Sequence, residues 1–259
     1  MDLGIAGKRA LVCASSKGLG LGCAQVLANA GVNLILNARG ADALAVEAEH
    51  IRTTCGVDVE TVCADITSRE GQYRVNVVAA GIDILVTNAG GPPAGIWSDW
   101  SREDFESAIN ANMLTPIAMM QAHLPSMIER KWGRVVNITS QSVKAPIPSL
   151  GLSNTARTGL TGFVAGVSRQ VAPDGVIINN LLPGIHATER SHYLDGAAAK
   201  MEGLTIEAIK LRRESSIPAR RYGTTGEFGA ICAFLCSEHA GFIVGQNILV
   251  DGGGVNVTL

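Results

Sequence analysis

The chain has little charge, few aromatic side chains and no long apolar run. Only 17% of its 259 residues are charged and 4% are aromatic, and 23 acidic against 21 basic side chains leave a formal net charge of −2. No basic block could neutralise a run of phosphates, so we expect neither nucleic acid nor an anionic membrane as a partner. No stretch reaches the roughly 18 uninterrupted apolar residues of a membrane-spanning helix.

CxxC pairs and histidine clusters are also missing, which argues against a zinc or other metal site. The six cysteines lie inside apolar runs and are predicted to be reduced core residues. They are Cys13, Cys23, Cys55, Cys63, Cys232 and Cys236. The opening MDLGIAGKRALV lacks the cationic start of a signal peptide, so the sequence predicts a soluble, cytoplasmic protein.

Short runs of Val, Ile and Leu alternate with helix-length segments along the whole chain. The predicted strands are Arg9–Ala14, Asn33–Ala38, Val57–Cys63, Ile82–Thr87, Arg134–Ile138, Val176–Leu181 and Ile248–Val250. The predicted helices are Leu19–Ala30, Ala41–Cys55, Ser101–Lys131, Leu152–Ala172 and Thr225–Ser237. This alternation predicts one α/β domain over residues 1–259, a doubly wound parallel sheet (Rossmann fold) of about seven strands with helices on both faces.

One segment, His186–Tyr222, resembles an insertion because it is more polar than its surroundings and follows the sixth strand. Ligands of such sheets bind beyond the carboxyl ends of the strands, so this segment is predicted to form a lid over a substrate. An ordinary pair of surface helices is the alternative.

The turn after the first strand has the form of a phosphate-binding site. Glycines there let a ligand approach the backbone, and the free N–H groups and dipole of the following helix stabilise anions. Ala14 stands where a strict dinucleotide fingerprint has glycine. The predicted cofactor-binding residues of this turn are Ser15, Ser16, Lys17, Gly18, Leu19 and Gly20.

The second strand ends in Arg39 rather than in the acid that holds the ribose hydroxyls of NAD(H). An arginine suits a 2′-phosphate, and Lys17 can complete a cationic notch, so NADP(H) is predicted in preference to NAD(H). Adenine and ribose contacts are predicted at the ends of the third and fourth strands. Those residues are Asp65, Ile66, Asn88, Ala89 and Gly90.

The motifs ASSKGLG, CADI, TNAGG, NANM, VVNITS, LLPGIHAT and VDGG follow one another in the order typical of one family. Together they resemble the short-chain dehydrogenase/reductases, and within them the 3-oxoacyl-acyl-carrier-protein reductases. The resemblance implies that Asn112 orders a proton-relay water and that Ser140 polarises a carbonyl. It also implies cofactor contacts from the turn after the sixth strand, through Pro183, Gly184, Ile185 and Thr188.

The family places a tyrosine acid and a lysine four residues apart, and here those positions hold Ser153 and Arg157. No YxxxK occurs anywhere in the chain. A serine hydroxyl is a far weaker acid than a tyrosine, and an arginine does not release its proton. Arg157 can still bind ribose hydroxyls, so the substitution affects the reaction more than cofactor binding.

Three functions stay open from the sequence. The first is an NADP(H)-dependent oxidoreductase of carbonyls or secondary alcohols, its proton coming from water or from His186, Lys144, Tyr193 or Tyr222. The second is a dinucleotide-binding sensor or scaffold with an impaired active site. The third is a lyase, isomerase or dehydratase. The resemblance also implies a homo-oligomer, a dimer or a homotetramer, built through the helices near Ser101 and Leu152 and the last strand.

Overall fold

The computed structural model describes residues 1–258. Seven parallel strands form one sheet in the order β3-β2-β1-β4-β5-β6-β7. They are β1 (Arg9–Val12), β2 (Asn33–Ala38), β3 (Val59–Cys63), β4 (Ile84–Thr87), β5 (Gly133–Ile138), β6 (Val176–Pro183) and β7 (Asn247–Val250). The single-domain Rossmann fold is thus confirmed, and the predicted strand ends differ from the observed ones by at most two residues.

Two helical layers cover the sheet. The helices are α1 (Gly18–Asn29), α2 (Ala41–Cys55), α3 (Arg69–Val78), α4 (Arg102–Ile109), α5 (Thr115–Glu129), α6 (Gly151–Val171), α7 (Glu189–Glu202), α8 (Ile206–Ser216) and α9 (Thr225–Cys236). One core cluster joins α1, α2 and α9 to the sheet, and the other joins α3, α5 and α6. No helix among the described residues is long and apolar enough to cross a membrane.

The helix predicted over Ser101–Lys131 is not continuous. It begins as expected, with a capping box between Ser101 and Asp104, but a π-helical turn at Asn110–Leu114 separates α4 from α5. Pro116 lies at the start of α5 and has no N–H to donate to the carbonyl four residues earlier, which favours a wider turn. The turn carries Asn112 towards the interior.

Helix α3 is absent from the predicted elements. Its sequence, REGQYRVNVV, is short and polar on average, and its buried residues are only Gly71 and Val75, so no apolar run marks it. Its start is set instead by Ser68, whose hydroxyl accepts a hydrogen bond from Gly71 N at 3.0 Å. The predicted lid is the helix pair α7 and α8.

All six cysteines are free. Cys13, Cys23, Cys232 and Cys236 are buried as predicted, whereas Cys55 and Cys63 are partly exposed because α2 and β3 end at these residues. Cys23 of α1 contacts Cys232 of α9, and burial together with these thiol contacts raises the pKa of Cys232 and of Cys236 well above the usual range.

Candidate active site

The candidate site lies at the carboxyl edge of the sheet, where the loops after β1, β4, β5 and β6 meet. A chain of polar side chains crosses the sheet just below it. The hydroxyl of Thr87 donates to Asn137 Oδ1 at 2.7 Å, and Asn137 Nδ2 donates to Asn180 Oδ1 at 3.2 Å. Sequence reasoning missed this chain, although its signal is visible as polar residues inside strands that are otherwise apolar. This row of hydrogen-bonded side chains fixes the mutual register of β4, β5 and β6.

The turn between β1 and α1 is shaped for an anion. Ala14 and Gly18 both have positive φ, +49° and +61°. A Cβ at Gly20 would lie 2.3 Å from the carbonyl oxygen of Ala14, so only glycine fits there. Lys17 is the N-cap of α1 and gives no side-chain hydrogen bond to the first turn, which leaves those N–H groups available to a phosphate.

Lys17, one of the two cations of the predicted notch, has a partner in the structure that the prediction did not include. The Lys17 ammonium forms an ion pair with the carboxylate of Glu189, in the first turn of α7. Arg39 is exposed at the end of β2. The phosphate turn is therefore joined to the lid, a contact that the sequence did not reveal.

Polar groups at the ends of β2 and β3 define the next part of the cleft. The buried Asn37 amide donates to the carbonyls of Val62 at 2.9 Å and Ala64 at 3.0 Å. Asp65 is exposed, and hydrogen bonds from the Thr67 backbone and hydroxyl lower its pKa. Asp65 is therefore a charged acceptor at neutral pH, whereas the Ile66 side chain is buried in the core.

The ends of β4 and β6 complete the groove. Asn88 follows β4 with its amide nitrogen 3.0 Å from the position of a Cβ on Gly20, and Ala89 and Gly90 come next. After β6, the Gly184 N–H donates to Val250 O at 2.9 Å. Thr188 caps α7. The structure thus brings the predicted cofactor residues of β1, β4 and β6 to one edge, including Pro183 and Ile185.

Asn112 is buried, 2% exposed, in the π-helical turn. Its Nδ2 donates to Ala108 O at 3.3 Å, while its Oδ1 is fully enclosed and has no hydrogen-bond partner among residues 1–258. An enclosed acceptor without a partner is a site for a bound water or a ligand donor. This arrangement fits the water-ordering role that the resemblance implies.

Ser140 follows β5 and is half-buried. Its Oγ accepts a hydrogen bond from Ser142 N at 3.1 Å, which fixes the oxygen and leaves the hydroxyl hydrogen free to donate. The hydroxyl group can therefore polarise the oxygen of a bound carbonyl compound.

Ser153 and Arg157 lie one turn apart in the first half of α6, both 7% exposed. Arg157 Nη1 donates to the carbonyl oxygen of Ile138, the last residue of β5, at 2.7 Å. Burial, with a smaller effect from the charge of Arg190, lowers the pKa of Arg157 to about 10, so the guanidinium stays charged at neutral pH. Arg157 thus contacts the end of the strand that leads into Ser140.

Comparison with known proteins identifies the family. The family model described as Enoyl-(Acyl carrier protein) reductase matches residues 13–254, nearly the whole chain. The chain is 30% identical to the Dehydrogenase/reductase SDR family member 4 of Sus scrofa, covering 95% of this chain and 86% of the relative. The chain is a short-chain dehydrogenase/reductase.

Several members of the family are similar over their full length. The chain is 32% identical to the 3-oxoacyl-[acyl-carrier-protein] reductase FabG of Aquifex aeolicus, covering 98% of this chain and 99% of the relative. It is 32% identical to the D-beta-hydroxybutyrate dehydrogenase of Cupriavidus necator, covering 96% and 98%. The crystal structure of L-sorbose reductase from Gluconobacter frateurii, complexed with NADPH and L-sorbose, superposes with a TM-score of 0.94 at 27% identity, covering 99% and 100%.

The alternative proton donors of this short-chain dehydrogenase/reductase are mostly engaged elsewhere. Tyr222 is buried and donates to both carboxylate oxygens of Asp195, at 3.1 and 3.2 Å. Burial and Asp195 raise the pKa of Tyr222 to about 12. The His186 ring packs edge-on against the Phe228 ring, with 5.2 Å between the ring centroids, and burial lowers the pKa of His186.

The other two candidates differ from these. Tyr193 is 65% exposed on the lid, with the Arg190 guanidinium 5.7 Å from its ring centroid. Lys144 ends the short 3-10 helix that follows Ser140 and is half-buried. Neither side chain makes a hydrogen bond or an ion pair with another of residues 1–258.

Proposed function

We propose that the chain is an NADP(H)-dependent oxidoreductase that acts on a carbonyl or a secondary alcohol, in the manner of the 3-oxoacyl-[acyl-carrier-protein] reductase it resembles. One observation carries this proposal: Asn112 has an enclosed Oδ1 with no partner among residues 1–258, and Ser140, just past the carboxyl end of β5, has an oriented hydroxyl. A donor to a substrate oxygen and an acceptor for a proton-relay water are both required for carbonyl reduction.

NADP(H) fits the cleft by its own features. The α1 N–H groups would hold the pyrophosphate, and Arg39 would hold the 2′-phosphate. Related structures contain NADPH, among them the L-sorbose reductase complex. In an Arg39→Ser variant we expect NADPH affinity to fall about ten-fold or more with NADH affinity unchanged, because a charge-assisted hydrogen bond contributes roughly 1.5–3 kcal/mol. Arg74→Ser, a change at an exposed residue of α3, is the control.

When bound, NADPH supplies the hydride, and the residues of this chain handle the oxygen. Ser140 donates a hydrogen bond to the substrate oxygen, and Ser153 lies near it as a second hydroxyl. The negative charge that develops on that oxygen is stabilised by the buried guanidinium of Arg157. The proton reaches that oxygen from bulk solvent through a water held at Asn112 Oδ1, which passes on one proton and takes up another, so that no hydroxide is left at the site.

A test begins with separate titrations of NADPH and NADH, followed by NADPH oxidation with a short 3-oxoacyl thioester and with diketones. Turnover should fall about 100-fold or more in Ser140→Ala with NADPH affinity unchanged, the usual effect of removing one oxyanion donor. Ser149→Ala, at an exposed serine of the same region, should leave turnover unchanged. A Ser153→Tyr, Arg157→Lys double variant should be faster, because it supplies a stronger acid.

A dinucleotide-binding sensor or scaffold is the second candidate, favoured by the serine and arginine at positions 153 and 157. Tight NADPH binding without turnover across a broad carbonyl panel would support it.

Under either function we propose a cytoplasmic homodimer or homotetramer, because small residues of α6 such as Gly162 and Gly166 are exposed rather than packed inside the subunit. Light scattering tests this assembly.

A further inference from the structure

A cavity of about 360 Å³ lies between the start of α9, the end of β7 and the segment that follows β6. Its apolar wall is made mainly by Ile185, Ile231 and Val250. Neither Ser140 nor Asn112 lines it, so the cavity is separate from the groups proposed to act on the substrate oxygen. Pockets that hold small organic ligands begin at about this volume.

His186, which is only 4% exposed, presents an oriented hydrogen-bond acceptor to this cavity. Its Nδ1 lies 3.3 Å from the carbonyl oxygen of Gly184, and since a carbonyl oxygen only accepts, Nδ1 carries the hydrogen. Burial lowers the pKa of His186, so the ring is neutral at neutral pH and Nε2 keeps its lone pair. Nε2 has no hydrogen-bond partner among residues 1–258 and is not a fully enclosed atom, so a ligand in the cavity can reach it.

Gly223 keeps open the space beside that nitrogen. A Cβ at this position would lie 2.9 Å from His186 Nε2 and 2.7 Å from His186 Cδ2, closer than van der Waals contact. The φ angle of Gly223 is not positive, so its backbone conformation does not demand glycine. Its N–H donates to Ile185 O at 3.0 Å, and its carbonyl accepts from Ala187 N at 2.8 Å. The opening at Nε2 is therefore held by paired backbone rather than by a flexible side chain.

The charged residues that line the cavity leave a net negative charge. Arg221 donates to both carboxylate oxygens of Glu227, at 2.8 and 2.5 Å, so the charges of these two cancel. Asp251 accepts from the N–H groups of Gly253 and Val255, at 2.9 and 2.8 Å, and no cation in the described part of the chain pairs with it. One carboxylate and one neutral acceptor remain, an arrangement that favours a cationic ligand over an anion.

We propose that this cavity binds a small primary ammonium ion with an apolar body, of which benzylammonium is an example. The ammonium group donates to His186 Nε2 and is attracted by the charge of Asp251, while the apolar body packs against Ile185, Ile231 and Val250. An ammonium group has three N–H donors and no acceptor, which matches a site whose free polar atom is an acceptor. This site goes beyond the proposed function and does not depend on it.

The experiment compares three ligands of similar shape and different charge. Calorimetry with the full-length protein at neutral pH measures the binding of benzylammonium, of neutral benzyl alcohol and of anionic benzoate. We expect benzylammonium to bind about ten-fold or more tightly than benzyl alcohol, because a charged donor forms the stronger hydrogen bond, and benzoate to bind least. Absence of saturable benzylammonium binding, or benzoate bound as tightly as benzylammonium, would overturn the site.

Variants locate the binding in this cavity. His186→Phe keeps an aromatic ring but removes the acceptor, and should weaken benzylammonium binding about ten-fold or more. His192→Phe, at an exposed histidine of α7, should leave it unchanged. Gly223→Ala places a methyl group at Nε2 and should weaken binding to a similar extent, whereas Gly226→Ala, at an exposed glycine of α9 outside the cavity, should not.

The charge of the site is tested separately. Asp251→Asn should reduce the preference for benzylammonium over benzyl alcohol and leave the affinity for the alcohol within about two-fold, because the alcohol carries no charge. Equal benzylammonium affinity in the wild type, His186→Phe and Asp251→Asn would show that the amine binds elsewhere and would overturn the inference. Should Gly223→Ala fail to fold, Ala230→Leu, which fills the cavity from the exposed face of α9, replaces it.

Discussion

The ammonium group of Lys17 is paired with the carboxylate of Glu189, which joins the phosphate turn to the first turn of the lid. Both side chains are mostly exposed, so the pair is weak, and a cofactor phosphate arriving at α1 competes with Glu189 for the same cation. The first turn of α7 and a bound phosphate would therefore share one positive charge.

Replacing Glu189 with glutamine should release Lys17 and speed NADPH association. We expect the rate constant to rise by up to about five-fold, since an exposed pair contributes no more than about 1 kcal/mol. Stopped-flow fluorescence measures this. Glu207→Gln, on the exposed side of α8, is the matched control and should leave the rate unchanged. An equal rate in wild type and Glu189→Gln would show that the pair does not limit entry.

The phosphate turn contains a strained residue. Ala14 has φ +49°, a region that disfavours residues with a Cβ. Ala14→Gly should raise the free energy of unfolding by up to about 1 kcal/mol, the strain relieved being larger than the added flexibility of the unfolded chain. Urea denaturation measures this change. Ala30→Gly, at a residue with φ −87°, should instead lower stability.

Tyr222 is expected to stabilise the lid and to take no part in proton transfer. Tyr222→Phe leaves a carboxylate oxygen of the fully buried Asp195 with one partner fewer, which should lower the free energy of unfolding by about 1–3 kcal/mol. Turnover at 25 °C should change less than two-fold. A large loss of turnover with an unchanged KM, in a variant that is still folded, would restore Tyr222 as a proton donor.

Stability should fall below neutral pH because of His123. Burial on α5 lowers the pKa of His123 from 6.5 to about 4, so between these pH values the unfolded chain binds a proton that the folded protein does not bind. The stabilisation is complete above pH 6.5 and is lost as the pH falls from about 6.5 to 4, by up to about 3 kcal/mol. Urea unfolding across this range should show a flatter profile in His123→Met but not in the control His50→Gln. Burial also lowers the pKa of His186, so protonation of this residue adds to the loss of stability as the pH falls.

The fold was predictable because the elements that face the core are rich in apolar residues and are separated by polar or glycine-containing turns. All seven strands and both layers follow from this pattern. Helix α3 was missed because it is short and polar and contributes only Gly71 and Val75 to the interior. The π-helical turn before Pro116 was missed because the sequence on both sides of it has helical spacing.

The site was predictable along the strand ends, where residues such as Gly18 and Ser140 directly follow apolar runs. Contacts between distant segments were not. Four lid arginines, Arg212, Arg213, Arg220 and Arg221, stand out in the sequence, but the structure binds each of them to an acid or a backbone carbonyl. Arg190, which donates a hydrogen bond to the carbonyl of Pro92 after β4, has no distinguishing sequence context. Charge pairing across a fold is set by tertiary geometry, which local patterns do not encode.

The thiols of Cys23, Cys232 and Cys236 are fully buried on the facing helices α1 and α9. The raised pKa of Cys232 and of Cys236 keeps those two thiols protonated. Only a thiolate reacts with alkylating reagents. Labelling of these three positions must therefore wait until α1 separates from α9, whereas Cys55 and Cys63 can react from the folded protein. The labelling rate of these three cysteines therefore reports how often α1 separates from α9. Because α1 begins at the phosphate turn, bound NADPH should slow this labelling.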